Sequence, residues 1–190
     1  MESEHFLNSL AGANKPSNEL RIQFYKMVEK KVHPKHETIL NTGQVCNHIW
    51  FLAQGFVMAY VEKDEKKIPY QFWNENEIIV PVNSFFKQLP ADGCIEVLEK
   101  STLVAISFTN FRKLTEVFPE CNIFLCNLLQ NLHYATEKRV LNLTSIDPGE
   151  RYTLLLKESS FIIRKASVEM IAAYLGVSRK TLNRIRAKKN

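Results

Sequence analysis

The sequence predicts an α+β chain: an N-terminal antiparallel β-roll with flanking helices, then a long helix, then a C-terminal helix-turn-helix. Three observations predict it. Residues 36–108 hold short runs of β-branched and aromatic residues, interrupted at near-regular intervals by turn formers. A stripe of apolar residues at helical spacing follows, over about 25 residues, longer than a mean globular helix. Beyond residue 150 two short apolar-periodic stretches are joined at a single glycine. With 190 residues, 45% of them hydrophobic and 24% charged, the chain has ordinary globular composition and room for one domain or two small ones.

The first zone, 1–33, reads as helical. Leu20, Phe24 and Met27 or Val28 recur at helical spacing, and Ser17 or Asn18 is a suitable cap. In the second zone the stretches 38–40, 48–52, 56–61, 67–72 and 96–107 are strand-like. Gly43, Gly55, Lys63-Asp64-Glu65-Lys66 and Asp92-Gly93 mark the turns. This gives an N-terminal β-roll domain over 1–118 with leading helices.

The third zone begins at Pro119, which suits a first helical turn. Leu125, Leu128, Leu129, Leu132, Ala135, Val140 and Leu143 form its stripe. Packing on its own domain is one explanation. The preferred one is a helix that also pairs with a second copy, because 125/128, 132/135 and 139/143 keep a near-heptad rhythm that Arg139 interrupts. Residues 119–146 are therefore assigned as a dimerisation helix. Asp147-Pro148-Gly149 then marks a boundary, and 147–190 is the terminal domain.

That domain starts with a helix at 151–158 whose Tyr152, Leu155 and Leu156 point inward. In the next stretch each residue type has a physical task. Ser167 caps a helix and Glu169 sits near its positive end. Ile171 and Leu175 share a buried face, and small Ala172 admits a close crossing. Gly176 supplies a left-handed turn and Val177 fills the corner. Ser178 caps a second helix whose Leu182 and Ile185 face inward. That helix exposes Arg179, Lys180, Asn183 and Arg184 near its start, where a recognition helix meets base edges in the major groove. Arginine pairs with guanine and asparagine with adenine. Ser178 and Thr181 suit phosphate contacts, and Ser167 joins them as a DNA-contact candidate.

Charge supports the same reading. Residues 164–190 carry eight basic side chains (Arg164, Lys165, Arg179, Lys180, Arg184, Arg186, Lys188 and Lys189) against one acid, Glu169, a local charge of +7. The other 163 residues carry 17 basic and 19 acidic groups, or −2. A neutral body with a basic terminal module is the pattern of a nucleic-acid binder.

Other classes find little support. Cys46, Cys94, Cys121 and Cys126 form no CxxC pair, and the last two lie about 140° apart on a helix. They read as reduced thiols of a cytoplasmic protein. No run approaches the length of a membrane span and no secretory signal is visible, so no membrane partner is expected. No phosphate loop, HExxH or GxSxG appears. Glu96 and Glu99 cannot be paired with a substrate cleft, so no catalytic residue and no enzyme activity are assigned. The sequence shows no metal site and no evident cofactor. His33, His36, His48 and His133 keep haem-type sensing open, although a lone histidine is more often an ordinary one.

A β-roll, a long helix and a terminal helix-turn-helix together resemble the Crp/Fnr superfamily of bacterial transcription regulators. The carrying residues are Gly43…Ile49-Trp50-Phe51-Leu52…Gly55 in the roll and Ala172-x-x-Leu175-Gly176-Val177-Ser178-x-x-Thr181-Leu182-x-Arg184-Ile185 in the terminal module. The resemblance spans nearly the whole chain. It implies a cyclic-nucleotide-binding-like jelly roll, a homodimer, a palindromic double-stranded DNA site, a functional contact with RNA polymerase, and base contacts by Arg179, Lys180 and Arg184.

Two departures qualify it. Members that bind cyclic nucleotides carry a Gly-Glu pair for the ribose and an Arg-Ser pair for the phosphate. The equivalent stretches here are Ile79-Val80-Pro81-Val82-Asn83-Ser84 and Ala91-Asp92-Gly93-Cys94. Asp92 would repel the phosphate that an arginine should attract. The expected effector is therefore a small molecule other than cyclic AMP, of unknown identity, in a pocket drawn by that resemblance from Val80, Asn83, Ser84 and Cys94. The iron–sulfur branch needs an N-terminal cysteine cluster that 1–33 lacks. The second departure is at 158–165, where members often carry a β-hairpin wing and this chain has a stretch short enough to leave the wing missing or reduced. The alternative to a regulator is a ligand-binding or scaffold roll whose helix-turn-helix no longer reads DNA.

Overall fold

The computed structural model describes residues 1–188; Lys189 lies outside the described residues. Two helices lead the chain, α1 (Glu2–Ala11) and α2 (Asn18–Met27). Ser17 caps α2 by accepting from the Leu20 N–H at 3.2 Å. Its own N–H and hydroxyl donate to the Glu120 carboxylate, tying this cap to the start of a helix 103 residues away.

Among the described residues eight strands follow: β1 (Val28–His33), β2 (Thr38–Leu40), β3 (His48–Gln54), β4 (Val57–Lys63), β5 (Lys66–Trp73), β6 (Glu77–Ile79), β7 (Cys94–Val97) and β8 (Ser101–Ser107). The short α3 (Val82–Lys87) sits between β6 and β7. The strands form two four-stranded sheets, ordered β1-β8-β3-β6 and β2-β7-β4-β5, with every pairing antiparallel. The roll is thus as expected, with three corrections. Residues 28–33 are not helical but pair with β8, from Val28 opposite Ile106 to His33 opposite Ser101. The chain leaves α2 at Met27, whose carbonyl accepts from the Asn110 side chain at 3.1 Å, and covers an otherwise open edge. Second, 96–107 is not one strand: the chain crosses from one sheet to the other between β7 and β8, and Ser101 holds that corner by donating to Glu99 O at 2.7 Å. Third, β6 and α3 had no clear sequence signal.

Both faces of the second sheet are buried. Along β4, Val57 and Ala59 belong to the core between the sheets, while Met58 and Tyr60 belong to a second core outside it. The first core extends over the other sheet to α1 and α2, where Phe6 stacks on Phe51 with ring centroids 5.6 Å apart. Each large side chain buried this way contributes about 1.5–3 kcal/mol.

After β8 come α4 (Phe108–Val117), α5 (Glu120–Ser145), α6 (Pro148–Glu158), α7 (Ser160–Lys165), α8 (Val168–Tyr174) and α9 (Arg179–Ala187). Asp147 caps α6 through the Gly149 and Glu150 N–H groups. The stretch at 158–165 forms α7 rather than a hairpin, and among the described residues no strand follows β8. Leu156 is 39% exposed and not inward as expected, whereas Tyr152 and Leu155 are buried.

The stripe on α5 packs in part on its own domain. Cys121, Phe124 and Leu128 are buried, and Leu132 packs half-buried on the same core. The N-terminal part of the stripe therefore packs on the chain's own helices α1, α2 and α4, while Val140 and Leu143 of its C-terminal part are exposed. The opposite side carries Ile123, Tyr134 and Leu141, at 54%, 67% and 56% exposure.

Candidate nucleic-acid interface and ligand cleft

The candidate reading head, α8 and α9, is built by local rules. Ser167 Oγ accepts from the Met170 N–H at 3.2 Å and starts α8. That helix ends where the Gly176 N–H donates to Ala173 O and the Val177 N–H to Ala172 O, at 3.0 and 2.9 Å. Gly176 has φ +69°, a conformation costly to a residue with a Cβ. Ser178 Oγ then accepts from the Thr181 N–H at 3.1 Å and starts α9. Ile171, Ala172, Leu175 and Leu182 are buried, at 4% exposure or less, so the crossing of α8 and α9 is packed shut.

The other side of α9 faces outward. Ser178, Arg179, Lys180, Asn183 and Arg184 are all exposed, and Thr181 is half-exposed. Ser178 and Thr181 hydroxyls share a hydrogen bond at 2.9 Å, which leaves lone pairs and one proton for an outside partner. Arg179 contacts Glu169 at 2.8 Å, an exposed ion pair too weak to hold it from a stronger partner. Ser167 is exposed at the start of α8. All seven DNA-contact candidates thus lie on or beside the caps of the two helices. Arg186 differs: its guanidinium carbon lies 5.7 Å from the Tyr152 ring centre, turned toward the module's core.

The module rests on the roll. Phe72 of β5 meets Tyr174 edge-on at 5.1 Å, and Phe161 meets Phe56 at 6.0 Å. Lys165 donates to Glu99 at 2.7 Å and reaches Asn74 and the Gly55 carbonyl. Gly55 is required here, because a Cβ would lie 1.9 Å from Ser101 Oγ. Sequence reasoning missed this seat, although four successive buried residues in β4 signal a strand covered on both faces.

A cleft of about 460 Å³ lies between the roll and the C-terminal half of α5. Val80, Asn83 and Ser84 line it, as expected. Cys94 does not: its thiol is 3.4 Å from Thr42 Oγ1 and belongs to the core beneath the reading head. Strand alternation explains the correction, since Ile95 takes the cleft side of β7. Ser84 is also committed, accepting from the Cys46 N–H at 2.8 Å and donating to Leu89 O at 2.7 Å. The wall is otherwise mostly apolar, with Trp73 from the roll and Leu132 and Val140 from α5. Its charged residues are Asp92 and Arg139. Sequence reasoning treated Arg139 only as a flaw in a heptad. It stacks on the Tyr174 ring at 3.7 Å and donates to Tyr174 O at 3.0 Å. Burial lowers its pKa, with Tyr174 opposing, and burial raises that of Tyr174.

None of the four histidines weighed for haem lines the cleft. His33 is 3.1 Å from Glu37 and His36 is 2.9 Å from the buried Glu96. Among the described residues no three metal-ligating side chains cluster, and no helix is long and apolar enough to cross a membrane.

Residues 30–117 match the cyclic nucleotide-binding domain family. Solved structures share the fold over most of the chain. FixK2 from Bradyrhizobium japonicum aligns with a TM-score of 0.73 at 15% identity, covering 85% of this chain and 83% of that one. The c-di-GMP-responsive global regulator CLP from Xanthomonas campestris gives 0.72 at 15%, covering 90% and 91%. A crp/fnr-family regulator from Eubacterium rectale gives 0.73 at 14%, covering 91% and 83%. No curated protein sequence matches.

Proposed function

Given a cyclic nucleotide-binding-type domain at residues 30–117 in a chain with the Crp/Fnr regulator fold, we propose that the protein is a sequence-specific, homodimeric DNA-binding transcription regulator, modulated by a small molecule other than cyclic AMP. One observation carries this reading: α9 presents Arg179, Lys180, Asn183 and Arg184 to solvent from its first two turns, over a packed and capped helix pair. Phosphate partners are supplied by Ser167, Ser178 and Thr181 at the caps and by the basic end of the chain.

The exposed side of α5, with Ile123, Tyr134 and Leu141, is the surface that pairs two copies, within 119–146. Two copies bring two recognition helices to half-sites about one helical turn, 34 Å, apart. Such a palindrome-bound dimer would act on RNA polymerase. The roll's cleft faces α5, so an effector bound in it touches the helix that sets this spacing. It shifts the equilibrium only if it binds one spacing better than the other. Cyclic AMP fits the cleft poorly, because Asp92 lines it and Ser84 is already bonded on both sides.

Selection of random duplex DNA with the purified protein tests this. Enrichment of a palindrome, with affinity falling steeply as salt rises, is the expected result. A flat pool at every salt concentration would leave a helix-turn-helix that no longer reads DNA.

A further inference from the structure

Arg139 has an unusual position. Among the described residues it is the one cation in the cleft wall, and it also lines a smaller cavity of about 280 Å³ beneath α6 and α8. Among the described residues its polar contacts are the ring and the carbonyl oxygen of Tyr174, and no carboxylate pairs with it. A half-buried guanidinium normally has a carboxylate partner, because desolvating the charge is costly. Here the partner is the C-terminal end of α8, immediately before the Gly176 turn of the reading head. A second connection reaches the same place. Trp73 lines the cleft, and its neighbour Phe72 on β5 seats the Tyr174 ring from the opposite face of the sheet.

We propose that the effector is an apolar monocarboxylate, and that its carboxylate takes Arg139 from Tyr174, releasing the end of α8. This rests on the reading of the chain as an effector-modulated regulator. The wall specifies the class. Its apolar side chains match a hydrocarbon or aromatic body, and a guanidinium binds a carboxylate through two parallel hydrogen bonds. Asp92 and Arg139 cancel, so the cleft accepts one negative charge near Arg139 and opposes a phosphate dianion. In the exchange Tyr174 loses a stacked cation and its carbonyl a donor, while its ring keeps the edge contact with Phe72.

Decanoate is the probe, with 1-decanol as its neutral match, titrated calorimetrically into the full-length protein. Decanoate should bind at least about tenfold tighter than decanol, a difference of about 1.4 kcal/mol. Arg139→Gln should bring the two to parity, and Arg139→Lys should keep part of the difference. Hydrogen exchange at the amides of Leu175, Gly176 and Val177, which bond to the last carbonyls of α8, should quicken about tenfold with decanoate and equally in Arg139→Gln without it. If Arg139→Gln does not fold, Arg139→Lys is compared instead. Decanoate binding no tighter than decanol overturns the proposal, as does bound decanoate with unchanged exchange at 175–177. Neither readout contains DNA, so failure here leaves the regulator reading standing, and a flat DNA selection leaves this result standing.

Discussion

The reading head and the cleft are assembled by opposite means. In the head, each device acts across three or four residues: a serine oxygen on an N–H three residues ahead, a glycine at φ +69°, and leucines that face inward because of their spacing. In the cleft, the walls come from β5, the α3 and β7 regions and the far half of α5, brought together by strand pairing and helix docking. A site of the first kind survives as a local pattern. A site of the second kind exists only when the whole roll is folded, and it can therefore respond to what occupies it. The seat joining the two regions, centred on Phe72 and Tyr174, makes one depend on the other.

Removing that seat should have the largest effect on the molecule. Phe72→Ala should cost about 3–5 kcal/mol, since the ring is buried between the roll and α8. If the head folds independently, fluorescence of the roll and exchange in α9 will separate into two transitions. If the two are one unit, both probes will shift together. Less damaging to the fold is Leu141→Glu on the exposed side of α5. It should convert a dimer to monomers in sedimentation while leaving the melting temperature nearly unchanged. Leu128→Ala, on the inner side of the same helix, should do the reverse and lower stability by about 2–5 kcal/mol.

Within the head, Arg184→Ala should cost about 1–3 kcal/mol at one base position of the selected site and leave the fold intact. Competition with single-base variants measures this, and an unchanged preference at every position removes Arg184 from the base readers. Ser178→Ala should be milder, about 1 kcal/mol from the lost cap. The smallest effects concern thiols. Burial pushes Cys46 and Cys121 up to about 11, so near pH 8 only about 0.1% of each is thiolate. Native alkylation should mark exposed Cys126 first, with Cys46 and Cys121 reacting only as the pH approaches 11 or the chain unfolds.

The contrast also explains what the sequence could reveal. The caps at Ser17, Ser167 and Ser178, the turn at Gly176 and the outward face of α9 follow from neighbouring residues, and all were legible. The helix-to-strand change at Val28 was not, because no glycine or proline marks it and its cause is β8, more than 70 residues away. Periodicity on α5 revealed an apolar stripe but not which of its residues pack within the chain, because the partners of Leu125 and Leu128 come from α1, α2 and α4. Cys94 was placed by the family resemblance, and strand alternation turns it to the other side of the sheet. Arg139 looked like a defect because its partner, Tyr174, is 35 residues further on.

The most direct measurement is of phase. Once selection has supplied a palindrome, its half-sites can be separated by inserting about five base pairs, half a helical turn, or about ten, a full turn. A dimer that reads both halves through paired α9 helices should lose at least about 100-fold in affinity with the half-turn insert and regain much of it with the full turn. Equal affinity for all three spacings would contradict the account, because each reading head would then be acting alone.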